Sequence, residues 1–334
     1  MNIHVRNARL RGVKEAIRVH RLIEARERIV KTDGQIDVFG TLAELDVTVI
    51  FKPLDGLLGA YLRQNSPGVL VSTKRPYAVQ RFTGAHELGH AVMEHEPSLD
   101  SKGVLRRAAA GEFSSAPRAF KADLQEIEAD AFAAEFLAPK WLVAHHARAQ
   151  GWNVESFAIP DIAYQLSLRC GCSYEATVRS LEINRLLTSH RSKQLRNVKP
   201  KEIKGRVREG RELSDPWRDT WHLGVRDDAA AVPVAEGDLV RIDVAQHAAT
   251  GFLWEMADAA VGVVALGEKV FLEDLVGGVG KKSFFLRLEA PGFAKIQLLE
   301  GRPWEVERHA VDLNLNVRAP EKGLSRANRA RLAI

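Results

Sequence analysis

Cysteine is scarce: the chain has two in 334 residues, Cys170 and Cys172, on either side of one glycine. That excludes a disulfide scaffold and reads as a cytoplasmic protein, with the pair as two small residues beside a turn. Long apolar runs are missing too. None approaches the roughly 18 residues that cross a bilayer, so no membrane partner is expected. The N-terminus, Met1-Asn2-Ile3-His4-Val5-Arg6, lacks the apolar centre of a secretory signal. Neither sign of charge dominates. A net charge of +5 and a pI near 9.2 permit nucleic-acid contact without requiring it. The length exceeds one small core and points to two or three domains.

What is present centres on His86-Glu87-Leu88-Gly89-His90, an HExxH pattern. On a helix, His86 and His90 project from one face, one turn apart. Two imidazole nitrogens at that spacing can share one Zn²⁺. Glu87 follows the first histidine and is placed to serve as general base toward a water. Gly89 has no Cβ, so a neighbouring backbone or a substrate can come close. HExxH fixes only three residues, so a third ligand is needed to separate a metal centre from coincidence.

A second helical stretch, Lys121 to Leu137, carries Gln125-Glu126-Ile127-Glu128-Ala129-Asp130. Glu126 and Asp130 lie four apart on one face. Glu126 can bind the metal while Asp130 accepts the other ring N–H of a liganding histidine, fixing its tautomer. Glu128 lies about 200° round the helix from Glu126, so the two are not expected to point inward together. Elsewhere in this half, residues 12–31 read as one amphipathic helix with Val13, Ile17, Leu22, Ile23 and Ile29 apolar. A short helix is expected over Phe39 to Leu45. Strands are expected at 47–51, 58–62 and 69–72, with Asn65-Ser66-Pro67-Gly68 as a turn. An extended peptide could dock by adding a strand to an edge of that sheet. Residues 98–119 read as a long loop or lid.

Residues 35–140 resemble the ImmA/IrrE family of metallo-endopeptidases. The resemblance is carried by Arg81-Phe82-Thr83-Gly84-Ala85-His86-Glu87-Leu88-Gly89-His90-Ala91-Val92, by Glu126 to Ala134, and by Phe136-Leu137-Ala138-Pro139. It implies a zincin-like fold, His86, His90 and Glu126 as ligands of Zn²⁺, and Glu87 as the base. It also implies a protein substrate, most often a helix-turn-helix repressor cleaved under stress or DNA damage.

Residues 152–195 read as helices around a Cys170-Gly171-Cys172-Ser173 turn, with Ser173 as a helix cap. The outline is that of a helix-turn-helix, which a helical support packed on the peptidase domain would share. From Arg185 to Arg211 there are ten Lys or Arg against two Glu, a basic stretch expected as a linker. DNA contact through 159–211 follows as a possibility. The last third turns to short alternating strands with Gly and Pro turns, as in an antiparallel immunoglobulin-like sandwich. Its loops resemble those of chagasin-like cysteine-protease inhibitors. The matching segments are Ala249-Thr250-Gly251-Phe252-Leu253-Trp254, Gly277-Gly278-Val279-Gly280 and Arg302-Pro303-Trp304-Glu305. The resemblance implies partner-binding loops with Thr250, Gly251, Phe252, Gly278, Arg302, Pro303 and Trp304.

The expected fold is an α+β zincin-like metallopeptidase domain (1–150) with a helical, helix-turn-helix-like extension (151–195). A basic linker (196–215), an all-β immunoglobulin-like, chagasin-like sandwich (216–318) and a basic, frayed tail (319–334) follow. The expected function is that of a zinc endopeptidase cleaving a protein, a helix-turn-helix repressor, in a stress, DNA-damage or mobile-element defence response. Two other readings keep the zinc site structural: a partner-binding or inhibitory sandwich, or a DNA-bound regulator. Candidates for stabilising an oxyanion are His95, His145, His146 and Tyr164.

Overall fold

A computed structural model describes residues 3–32, 34–62, 67–96, 99–101, 117–212, 215–257, 260–271 and 278–333. Most of the stretch expected as a lid falls outside these residues, as do Asn65 and Ser66, and its described parts are a strand at 99–101 and a helix start at 117–119 rather than loop.

Where one helix is expected over 12–31, there are two. They are α1 (Ile3–Leu22) and α2 (Ala25–Thr32), separated at Glu24, whose φ of 50° no helix continues through. The buried stripe of α1 also differs from the apolar residues that stand out in sequence. It consists of Val5, Ala8, Gly12, Ala16, Val19 and His20, while Ile17 and Leu22 face out. Small residues face inward because α1 lies very close to α5 (Pro117–Leu137). A Cβ on Gly12 would fall 2.1 Å from the Glu128 carbonyl oxygen.

Next come α3 (Val38–Glu44), capped by Asp37, and the strands β1 (Thr48–Lys52), β2 (Leu57–Leu62) and β3 (Gly68–Ser72). Then follow α4 (Tyr77–Val92), which carries HExxH, and β4 (Leu99–Ser101). The sheet order is β13-β1-β3-β2-β4, with β1 and β3 parallel and β2 antiparallel to both neighbours. β13 (Gly323–Leu324) comes from the far end of the chain and pairs with β1. Both edges of the three-strand unit are therefore taken by the chain's own segments. A peptide adding a strand would have to meet β4 first.

After α5, α6 (Lys140–Gln150) ends at Gly151 in the left-handed region. α7 (Pro160–Cys170), opened by Pro160 at its first turn, turns at left-handed Gly171 into α8 (Tyr174–Ile183), capped by Ser173 as expected. The stretch expected as a linker is folded over its described residues, 196–212 and 215. It holds α9 (Ser189–Asn197) and α10 (Pro200–Val207), with Leu195, Ile203 and Val207 buried. Ile203 and Val207 lie four apart, so one apolar stripe docks α10, while Lys201 and Arg206 stay exposed and Lys204 turns in to the Arg218 carbonyl and Asp219.

The C-terminal region is all-β. One sheet has the order β5-β7-β10-β9 and the other β6-β12-β11-β8. The strands are β5 (Thr220–Gly224), β6 (Ala231–Ala235), β7 (Leu239–Gln246), β8 (Leu253–Met256), β9 (Val263–Phe271), β10 (Gly280–Leu288), β11 (Gly292–Gly301) and β12 (His309–Arg318). The expected antiparallel pairing holds except at two places, where β5 runs parallel to β7 and β6 parallel to β12. Ile242, Val244, Trp254, Phe284, Leu286, Ile296, Leu298, Leu313 and Leu315 belong to the buried core.

The expected frayed tail is ordered and docked. Beyond β13, α11 (Arg326–Leu332) is capped by Ser325. Asn328 closes the β1 edge, accepting from Val49 N at 2.9 Å and donating to the Val47 carbonyl at 3.1 Å. Among the described residues, no helix is long and apolar enough to cross a membrane.

Candidate metal centre

The site forms where α4 crosses α5. Apolar and small residues bury the middle of α4, and the Cβ that Gly89 lacks would sit 3.2 Å from the Phe132 ring. The neighbour that glycine admits is therefore α5 itself. This crossing brings Glu126 to the two histidines. His86 Nε2 and His90 Nε2 are 3.0 Å apart, and the Glu126 carboxylate lies 3.2 Å from the first and 3.6 Å from the second. All three residues are buried, and among the described residues they are the group able to hold a metal ion.

The fit to a small cation can be tested on these distances. Ligand arms of about 2.0–2.1 Å in a tetrahedron leave donor atoms roughly 3.3 Å apart. The three separations bracket that value. Glu126 Oε2 is moreover buried without a hydrogen bond. A buried carboxylate whose two oxygens face two imidazole nitrogens, Oε2 toward His86 and Oε1 toward His90, is costly unless a cation completes the set. The donor set thus suits zinc or a similar ion.

The partners behind the ligands differ. Asp130 Oδ1 lies 3.0 Å from His86 Nδ1, as the four-residue spacing predicts. Glu128 departs from expectation. It does not turn to solvent but is buried on the other flank of α5, where its Oε2 meets His95 Nε2 at 2.8 Å and Arg11 at 2.8 Å. His95 in turn lies behind His90, Nδ1 to Nδ1 at 3.0 Å. That placement makes it a support of the ligand rather than a group facing a substrate. Glu87 is buried on α4, and a Cβ built on Gly59 of β2 would come 3.2 Å from its Oε1.

The other oxyanion candidates are not among the triad residues. Tyr164 on α7 donates to Asp219 at 2.9 Å and accepts from Thr220 N. His146 is buried, and desolvation, then the Arg169 and His145 charges, hold its pKa down at about 3. Cys170 and Cys172 are free, buried thiols outside the metal group. Burial pushes the Cys172 thiol up to about 11.

α7 is turned inward. Gln165 donates to the Thr220 carbonyl and accepts from His222 N, and Arg169 pairs with Asp227 at 2.9 Å, both buried. In the segment expected to touch DNA, then, this helix joins the N-terminal half to the sandwich. A cavity of about 220 Å³ lies at the same junction, lined by Tyr77, Tyr164, Cys172, Lys204, Trp217 and Arg318 and by none of the triad residues.

At the sandwich loops, Arg302 Nε donates to the Thr250 carbonyl at 3.1 Å and its guanidinium stacks on Phe252 at 4.8 Å. Trp304 is 74% exposed beside Gly251, whereas Trp254 is core. The first and third expected loops therefore meet, with Pro303 between Arg302 and Trp304. Gly278 belongs to the loop before β10, of which residues 272–277 lie outside the described residues.

Comparison with known proteins agrees with both halves. Residues 42–182 match the peptidase M78 family model, an IrrE N-terminal-like domain. Residues 233–318 match the chagasin family of peptidase inhibitors. Among solved structures, the cysteine protease inhibitor EhICP2 from Entamoeba histolytica is 19% identical, with 30% of this chain and 97% of that one covered and a TM-score of 0.28. Amebosin is 20% identical over 30% of this chain and 98% of its own, with a TM-score of 0.27. PbICP-C, solved in complex with falcipain-2, is 18% identical over 30% and 92%, with a TM-score of 0.20. No curated protein matches the chain. A helical N-terminal region with small strands, similar to the peptidase M78 model over residues 42–182, is followed by an all-β region similar to the chagasin model over residues 233–318.

Proposed function

We propose that this chain is a zinc-dependent endopeptidase acting on a protein, with His86, His90 and Glu126 as ligands and Glu87 as general base. The buried triad at the α4–α5 crossing carries the reading. Bound there, the ion would supply Lewis-acid polarisation of the scissile carbonyl and of the attacking water. Glu87 takes the water's proton and passes one to the leaving amine. Asp130 holds the His86 ring so that its Nε2 lone pair points at the metal position. The likeness to the ImmA/IrrE family supports a helix-turn-helix repressor as substrate, in a cytoplasmic stress, DNA-damage or mobile-element response.

Metal analysis and peptide cleavage on purified variants test this. Glu87→Gln is expected to retain one equivalent of zinc and to lose most turnover, on the order of 10²–10⁴-fold. Glu126→Ala and His90→Ala should lose the metal. Full turnover in Glu87→Gln would refute its role as base, and absence of bound zinc in wild type would sink the reading.

One observation favours a second role beside the first. The exposed Trp304, braced by Gly251 and next to the Arg302–Phe252 stack, gives the sandwich a partner-binding tip. It fits a domain that recognises a protein, whether the substrate or a protease to be inhibited.

A further inference from the structure

The two histidines of the triad are braced in different ways. His86 is held from within its own helix pair, by Asp130 of α5. His90 is held through a chain of three side chains that ends on α1: His90 Nδ1 to His95 Nδ1 at 3.0 Å, His95 Nε2 to Glu128 Oε2 at 2.8 Å, and Arg11 to the same oxygen at 2.8 Å. A His90 that offers its Nε2 lone pair to a metal carries its ring proton on Nδ1 and donates it to His95. His95 then has its own proton on Nε2 and donates to Glu128. One proton arrangement satisfies every contact in the chain.

The backbone makes this geometry possible. Past the end of α4, Glu94 takes a left-handed turn, φ 54°, and His95 N donates to the His90 carbonyl at 3.0 Å, folding the His95 ring back under its ligand. On the other side Gly12, next to Arg11, lets α1 approach within contact of the Glu128 carbonyl. His20, near the end of α1, meets the Phe136 carbonyl of α5 at 2.9 Å, so α1 is fastened to the same helix at two points. α1 lies outside residues 42–182, the part that matches the peptidase family.

We propose that α1 is a working part of the metal centre, positioning His90 through Arg11, Glu128 and His95, so that metal binding and docking of α1 strengthen one another. This rests on the metal-centre reading above. Glu128 is a buried carboxylate, and the Arg11 guanidinium offsets the cost of burying it while fixing the oxygen that His95 needs. Linkage then requires reciprocity: whatever factor α1 docking adds to metal affinity, metal binding adds to α1 docking.

The test uses the full chain with zinc alone. Zinc affinity is measured by chelator competition for wild type, His95→Gln, Glu128→Gln, Arg11→Ala and Arg11→Lys, with His86→Ala as the variant that removes a ligand. His95→Gln and Glu128→Gln should bind about 10–100-fold more weakly, the range for partners behind metal ligands. Arg11→Ala should lose less, since its side chain is half exposed, and Arg11→Lys should recover part of that loss. Hydrogen exchange of α1 amides should slow on zinc loading in wild type and not in Glu128→Gln. A merely structural α1 would leave those amides indifferent to zinc. Should Arg11→Ala fail to fold, Glu128→Gln and Arg11→Lys still decide. Wild-type affinity in His95→Gln and Glu128→Gln, with loss in His86→Ala, would overturn the proposal and leave the metal centre standing. No zinc bound by wild type would overturn both.

Discussion

At the residue scale, Glu135 on α5 is a carboxylate in the wrong place for a charge. Burial pushes its pKa up to about 7, against an ordinary value of 4.5. A folded pKa above the unfolded one means that the native state holds the proton more tightly. The stability this contributes is fully present below the unfolded value and is lost as pH rises through about 7. Glu135→Gln should therefore match wild type in urea unfolding near pH 4 and exceed it at pH 8. Equal stability at pH 8 would show that the carboxylate finds solvent. The same scale shows what the sequence made legible. His86, His90, Glu126 and Asp130 could be named because each pair lies four apart on one helix, and helical spacing is a short-range rule. His95 could be singled out as a histidine but not placed. Its position depends on a left-handed residue just past a helix end, and on a carboxylate thirty-three residues away. Glu128 was misjudged for a related reason. A helical wheel fixes which way a side chain points but not whether another helix waits on that side, and α1 does.

At the element scale, the strands and the α4 and α5 helices follow from periodicity, while α1 and the tail show where periodicity misleads. A helix packed against another at close range buries its small residues, so Ala8, Gly12 and Ala16 form the contact stripe and the larger Ile17 and Leu22 stay outside. A pattern that looks for large apolar side chains chooses the opposite face. The tail offers almost no apolar pattern at all, and its docking is done by backbone pairing, by one asparagine and by the Arg331–Asp46 ion pair at 2.6 Å. Asn328 satisfies two backbone groups of the β1 edge across nearly the whole length of the chain. Asn328→Ala should cost about 1–2 kcal/mol, because it leaves a donor and an acceptor at a half-buried edge without partners. Thermal or urea unfolding checks it. The stronger readout is local: hydrogen exchange at Val49 should quicken in the variant, while amides of the β7–β10 ladder in the sandwich stay protected. An unchanged Val49 would mean that β13 alone holds the edge.

At the scale of the molecule, the basic stretch between the two family-like halves is helical and docked over its described residues, through α9 and α10. α7 is clasped by β5 through Tyr164 and Gln165 and by the Arg169–Asp227 pair, and Arg241 reaches back to the Val207 carbonyl. Arg318, at the end of the sandwich, stacks on Tyr77, at the start of the HExxH helix. The chain then returns to the N-terminal sheet as β13 and α11. Composition divides the sequence into segments because residue usage records the type of structure, and it is silent about contacts between segments. We propose that the five expected segments unfold as one cooperative unit. Calorimetry should then show a single transition, with calorimetric and van't Hoff enthalpies in agreement. A chain ending at residue 211 would expose the buried face of α7 and strip both β13 and α11 from β1, and it should be insoluble or unfolded rather than a working peptidase. Gln165→Leu, which removes two interface hydrogen bonds and leaves both cores intact, separates the alternatives. One unit predicts a lower midpoint for the whole transition. Two independent units predict a second transition split from the first, or no shift at all, and a soluble, folded 1–211 fragment would settle the matter in their favour.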